Sequence, residues 1–331
     1  MGKNFKKYLG IILIELLVVQ YAYSQHVGYS TYTFNDTQQL SVWYPATTVV
    51  CHYQNYLENV NVKYLSTQTE PNVNEYLDVY LSQYVYNTKI DFSKIINIKA
   101  SNCLSPLKTE VTHPLIIYAP GYRGLSFENS LLCEMLAESG YIVAAVPSLG
   151  VKYKTDSLGL EIQIDYIQKA IGYLTSQKYV DRNNISLIGF SWGGLSSIMT
   201  AFRNKSIKSV VSLDGSIRFF YSLAEKMPGF NPSEFDRSVL LFGAEGNDHV
   251  DFRFFDQLKK APAYLVKMKG FNHLDFMSYR SLETPYKDSV KAEGYFKMLQ
   301  TIKQFLNANG TLPDSAHLKS EFSPSFVYIK P

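Results

Sequence analysis

The chain has 331 residues, of which 46% are hydrophobic and 18% charged, with a formal net charge of +3. That length suits one large α/β domain or two small ones, and the apolar content is enough for a sizeable core. Outside the amino terminus no basic cluster stands out, which argues against nucleic-acid binding.

Residues 1–24 carry the marks of an export signal. Lys3, Lys6 and Lys7 form a basic start, Leu9 to Val19 is an apolar run, and Ala22-Tyr23-Ser24 offers a cleavage site. A membrane-spanning helix needs roughly 20 apolar residues; this run is shorter and carries Glu15. Cleavage near Ser24 is therefore expected, giving an exported chain, periplasmic or secreted, without a stable membrane anchor. Removing Lys3, Lys6, Lys7 and Glu15 lowers the net charge from +3 to +1.

From His26 the pattern favours strands. Tyr29–Phe34 and Leu40–Tyr44, parted by Asn35-Asp36-Thr37, predict a hairpin. Residues 50–110 are rich in Tyr and Asn, with patchy helical spacing over Val73–Tyr86, and are expected to form an insertion on the main domain. Regular alternation follows: a strand at Pro114–Tyr118, a helix over Phe127–Ser139 stopped by Gly140, and a strand at Tyr141–Val146. Leu160, Ile164, Ile167, Ile171 and Leu174 recur at helical spacing and predict a helix packed on a sheet. A loop at Asp181–Asn184 is expected before the apolar run Ile185–Phe190 and a helix at Gly194–Phe202. Strands follow at Val210–Leu213, Val239–Phe242 and Ala263–Met268. Between them, Asn231 is placed to cap a helix with Pro232 at its first position, and Asp251–Leu258 reads as a helix. Tyr286–Ala308 closes the domain. The expected division is a signal at 1–24, one domain at 25–310 and a tail at 311–331.

Strands alternating with helices imply a mostly parallel sheet covered on both faces, with ligands bound beyond the carboxyl ends of the strands. Gly189-Phe190-Ser191-Trp192-Gly193 stands at one such end, between strand and helix, as a G-x-S-x-G nucleophile elbow does. Serine needs a base to take its proton, and an elbow of this kind predicts the order Ser, acid, His. Of the histidines after Ser191, His317 lies in the polar tail and His249 precedes a helix, whereas His273 follows the last strand. The acid that orients the imidazole is either Asp214 or Asp248, each just beyond a strand. Oxyanion donors are expected from the backbone N–H groups of Trp192 and Tyr122, the latter in the loop after Pro114–Tyr118. No Cys or His pair has metal-ligand spacing, and this chemistry needs no cofactor. Cys133 reads as a buried core thiol; Cys51 and Cys103 bracket the insertion and are candidates to pair.

Over nearly all of residues 110–305 the chain resembles the α/β-hydrolase superfamily. Within it the resemblance is to platelet-activating-factor acetylhydrolases and dienelactone-hydrolase-like esterases. It rests on Trp43-Tyr44-Pro45 in the early hairpin, Ser212-Leu213-Asp214 at the acid position and Asn272-His273-Leu274-Asp275-Phe276 at the histidine loop. The resemblance implies an α/β-hydrolase fold with an N-terminal hairpin, and favours Asp214 over Asp248. It also implies a serine esterase acting through an acyl-enzyme on small-molecule, lipid or glycan esters, with short acyl groups favoured. Phe190 replaces the histidine usual in that group, and Pro120-Gly121 replaces His-Gly; both changes bear on substrate preference and not on the triad. The alternatives are a peptidase or a polyester- or polysaccharide-directed esterase on the same residues, or a non-catalytic exported binding protein using some of the 26 tyrosines.

Overall fold

The computed structural model describes residues 26–35, 38–46, 51–52, 99–100, 102–103, 111–122, 124–146, 148, 155–245, 250–278, 290–312 and 326–330. Residues 1–24, read above as an export signal, most of the expected 50–110 insertion with its Val73–Tyr86 segment, and Asp248 lie outside them, as do the side chains of Cys51 and Cys103.

Strands in chain order are β1 (His26–Asn35), β2 (Gln38–Ala46), β3 (Cys51–His52), β4 (Lys99–Ala100), β5 (Asn102–Cys103), β6 (His113–Ala119), β7 (Ile142–Ala145), β8 (Val180–Phe190), β9 (Ile207–Leu213), β10 (Ser238–Ala244), β11 (Ala263–Met268) and β12 (Phe326–Lys330). Helices are α1 (Ser130–Glu138), α2 (Ser157–Thr175), α3 (Trp192–Arg203), α4 (Tyr221–Ala224), α5 (Arg253–Gln257) and α6 (Val290–Asn307). Among the described residues, 3-10 turns lie at Ser216–Arg218, Pro232–Glu234 and His273–Phe276.

One sheet runs in the order β12-β11-β10-β9-β8-β6-β7-β2-β1-β5, and β3 pairs separately with β4. The six strands from β11 to β7 are mutually parallel. β1 and β2 form the expected antiparallel hairpin, docked through β2 on β7. Apolar runs suit these strands because side chains alternate between two buried faces. In β6, Ile116 and Tyr118 join the core packed under α1 and α6, while Leu115, Ile117 and Ala119 join the core under α2 and α3. The stripe Leu160, Ile164, Ile167, Ile171 and Leu174 is buried on that second side.

The chain leaves β6 for β7 on one flank and then crosses to β8 on the other. The order therefore reverses at β6 and β8, and a crevice opens beyond their carboxyl ends. The site develops there.

Three local expectations differ from the structure. Asp181–Asn184 belongs to β8, where the pairing with β6 shifts register between Pro114 and Leu115; the extra residues bulge, with the Asp181 side chain accepting from the Asn183 N–H at 2.9 Å. Asn231 does not cap a helix: Pro232–Glu234 is a single 3-10 turn, the Asn231 side chain accepts from Ser233 Oγ at 2.8 Å, and Phe235 turns extended to enter the core. Beyond Gly310, Phe326–Lys330 adds an antiparallel edge strand to β11, so the expected tail returns to the sheet.

Trp43 shows why the hairpin matters. It is fully buried, with its ring 5.1 Å from that of Tyr29, in the core that α1 and α6 also cover. Trp43→Ala is expected to lower the unfolding free energy by about 3–5 kcal/mol, read from urea denaturation.

Candidate active site

The turn between β8 and α3 is one residue long. Ser191 occupies it with φ 51° and ψ −118°, in the left-handed half of backbone space that costs a non-glycine residue about 1–3 kcal/mol. Three backbone hydrogen bonds hold it: the Ser191 N–H donates to Leu213 O at 3.0 Å, and Ser191 O accepts from Gly194 at 3.0 Å and Ser216 at 2.8 Å. So tight a turn leaves no space for neighbouring side chains. A Cβ on Gly189 would stand 2.2 Å from Gly193 O, and one on Gly193 would stand 1.9 Å from Ala119 O. These contacts explain both glycines of the elbow.

Asp214 follows β9 directly, also at positive φ (43°), with its N–H donating to Phe242 O at 2.8 Å. Its carboxylate is fully buried. Oδ1 accepts from the Ala244 N–H at 2.7 Å and from the Arg218 guanidinium, while Oδ2 lies 2.5 Å from His273 Nδ1. Burial pushes this carboxyl upward, but the His273 hydrogen bond, the Arg218 charge, the His273 charge and the Ala244 N–H together hold it below the ordinary aspartate value. Arg218 is itself buried, and its Nε and Nη1 have no partner among the described residues.

His273 opens the 3-10 turn after β11. Its Nε2 lies 3.0 Å from Ser191 Oγ, completing a line from Asp214 through the imidazole to the hydroxyl. The turn is built by a capping box, in which the Asn272 N–H donates to Asp275 Oδ2 at 2.6 Å while the Asn272 side chain accepts from the Asp275 N–H. Lys291 at the start of α6 pairs with the same carboxylate at 2.6 Å. The Phe190 ring lies 4.8 Å from the imidazole, centroid to centroid. The histidine and Ser191 are both part-exposed, the His273 side chain at 41%, whereas Asp214 is at 0%.

On the other side of Ser191, the loop after β6 brings Gly121 close. A Cβ built on Gly121 would be 3.4 Å from Ser191 Cβ. Tyr122 follows in this loop, half-buried against the α2–α3 core. Trp192 is the first residue of α3, where a backbone N–H has no partner within its own helix. The backbone N–H groups of Tyr122 and Trp192 remain the candidates for an oxyanion hole.

Ser191, Asp214, His273, Tyr122 and Trp192 thus meet at one sheet edge. Asp248, the alternative acid, and Arg123 fall outside the described residues. Arg218 and Lys291, which pair with Asp214 and with Asp275 of the histidine turn, gave no sequence signal, whereas Asp275 stood in the histidine-loop motif without an assigned role. Cys133 is buried and free, and burial pushes its thiol well above the usual range. Among the described residues no group of three or more His, Cys, Asp or Glu side chains could hold a metal ion.

Residues 162–241 match the family model described as BAAT / Acyl-CoA thioester hydrolase C terminal. That span includes Ser191 and Asp214 and stops before His273. A solved structure titled as a ferulic acid esterase from Streptomyces cinnamoneus superposes with a TM-score of 0.63 at 16% identity, covering 93% of this chain and 97% of that one. Comparison with curated protein sequences gives no match. The sheet order and this superposition establish the α/β-hydrolase fold.

The depressed Asp214 carboxyl carries a stability prediction. A group whose folded pKa lies below its unfolded value of about 3.9 stabilises the fold above that value. That contribution is lost as pH falls through the folded pKa. Stability from urea unfolding should therefore fall more steeply below about pH 4 in the native chain than in Asp214→Asn.

Proposed function

We propose that this chain of α/β-hydrolase fold is an exported serine hydrolase that cleaves carboxylic esters through an acyl-enzyme. The observation that carries the reading is the continuous contact from Asp214 to His273 at 2.5 Å and from His273 to Ser191 at 3.0 Å. Hydrolase chemistry also agrees with the thioester hydrolase family model and with the esterase title of the structural neighbour.

Ser191 Oγ attacks the ester carbonyl while His273 Nε2 takes its proton. Asp214 accepts the Nδ1–H, which fixes the tautomer and stabilises the imidazolium. The carbonyl oxygen, now anionic, is held by the N–H groups of Trp192 and Tyr122. Collapse of the tetrahedral intermediate expels the alcohol, protonated by His273. A water deprotonated by the same imidazole then releases the acid and restores Ser191.

We assign short acyl groups from the family resemblance and from the bulky Phe190 ring beside the imidazole. Phe190 packs on Gly121 and His273. The motifs at Trp43-Tyr44-Pro45, Ser212-Leu213-Asp214 and Asn272–Phe276 support grouping the chain with the platelet-activating-factor acetylhydrolase and dienelactone-hydrolase-like esterases. The substrate class is a small-molecule, lipid or glycan ester. Export rests on residues 1–24, with cleavage near Ser24 and one catalytic domain at 25–310, to which β12 adds its edge strand. Among the described residues no helix is long and apolar enough to cross a membrane.

Ser191→Ala should abolish p-nitrophenyl acetate hydrolysis, and unchanged turnover would sink the assignment. Asp214→Asn should reduce kcat by about 10⁴-fold, the loss that an amide in place of the orienting acid causes in a Ser-His-Asp triad, while Asp248→Asn leaves it near wild type. The reverse pattern would make Asp248 the acid. Acetyl, butyryl and octanoyl esters compared with an acetyl thioester and a peptide should rank the acetyl ester first.

A further inference from the structure

We propose that Ser148 and Glu128 are positioning residues of the oxyanion loop, clamping Gly121 by both of its backbone groups so that the next N–H, that of Tyr122, faces the reacting oxygen. This rests on the serine-hydrolase reading above. The Gly121 N–H donates to Glu128 Oε1 at 3.0 Å. The Gly121 carbonyl accepts from Ser148 Oγ and from the Gly124 N–H at 2.8 Å. In a trans peptide the carbonyl and the following N–H point in opposite directions. Fixing Gly121 O on Ser148 therefore turns the Tyr122 N–H away from Ser148, at a residue whose neighbour abuts Ser191.

The clamp is dry and has its own supports. Glu128 and Ser148 are each 1% exposed, a costly place for a carboxyl and a hydroxyl unless their hydrogen bonds are made. Ser148 Oγ also accepts from the Gly124 N–H at 2.7 Å, closing the loop on itself. Glu128 Oε1 takes a second donor, the Tyr118 hydroxyl, at 2.9 Å, and that hydroxyl accepts from Asn129 Nδ2 at 3.0 Å. Gln163 in α2 donates to Pro120 O at 3.2 Å.

Glu128 and its neighbour Asn129 also reach the segment that carries the base. Glu128 O accepts from the Ser278 N–H at 3.1 Å and from Ser278 Oγ at 3.0 Å, and Asn129 Nδ2 donates to Phe276 O at 2.9 Å. Tyr295 in α6 donates to Asn129 Oδ1 at 2.6 Å. Glu128 and Asn129 therefore join the oxyanion loop to the segment that carries His273. Oxyanion donor and general base are held to one reference, which transition-state stabilisation requires because misplacement by about 1 Å costs on the order of 100-fold in rate.

The test uses the full chain, with active enzyme counted by fluorophosphonate titration so that kcat is expressed per reactive Ser191. Ser148→Ala and Glu128→Ala are each expected to lower kcat on p-nitrophenyl acetate by about 10- to 100-fold, with KM within about twofold. Each should weaken a phenylboronic acid, which forms a tetrahedral adduct, by the same factor. Glu128→Gln keeps a carbonyl acceptor for Gly121 and should recover most of kcat. A merely structural role would lower the titrated fraction and leave kcat per site intact, and that result overturns the clamp. Ser148→Ala deletes a single oxygen and settles the matter if Glu128→Ala does not fold. If Ser191→Ala is inactive while Ser148→Ala retains wild-type kcat, the clamp alone falls; if Ser191→Ala is fully active, the hydrolase reading falls first.

Discussion

The site depends on one backbone conformation. Ser191 is held at positive φ between the last residue of β8 and the first of α3, and that conformation lifts its hydroxyl clear of the sheet edge. The strain is sustained because Gly189 and Gly193 let strand and helix close to contact distance, and because both backbone groups of Ser191 are bonded, to Leu213, Gly194 and Ser216. Those bonds reach the strand and turn that carry Asp214. Ser191 and Asp214 are therefore set by the same short stretch of sheet edge, and His273 arrives from farther along the chain.

Electrostatically the site has a dry side and a wet side. Asp214 is sealed between Arg218, the Ala244 N–H and His273, while the imidazole is open enough to meet substrate and water. A buried carboxylate beside a buried guanidinium is expensive to assemble and weak evidence for stability. What the arrangement secures is a carboxyl held below the ordinary aspartate value and fixed on the His273 imidazole. The histidine turn has a comparable support one layer out, in the Asn272–Asp275 box and the Lys291 ion pair.

Much of this was readable from residue order because the central strands are buried on both faces. Runs such as Leu115–Ala119 and Ile185–Phe190 have no other use, and each ends where polar or small residues begin. Once the parallel sheet is inferred, Ser191, Asp214 and His273 fall at one edge by topology alone. The supports were not readable. Arg218, Glu128, Ser148 and Lys291 are single polar residues whose partners lie 4, 7, 27 and 16 positions away in sequence; the first spacing is helical but spans a strand end and a turn, and the others follow no periodicity. Asp181–Asn184 has turn chemistry but is spent as a bulge inside β8, and Asn231 has cap chemistry but meets only one turn. β12 was missed because five residues after a polar stretch become a strand only through the waiting edge of β11, a tertiary effect that outweighs local propensity.

The central claim is that Ser191 is the nucleophile. Its most direct measurement is peptide mass spectrometry after exposure of the native chain to a fluorophosphonate probe. The account predicts one stoichiometric adduct, on the peptide containing Ser191, absent from Ser191→Ala and strongly slowed in His273→Ala. Stoichiometric labelling of another residue, or no labelling of a folded chain, would contradict it.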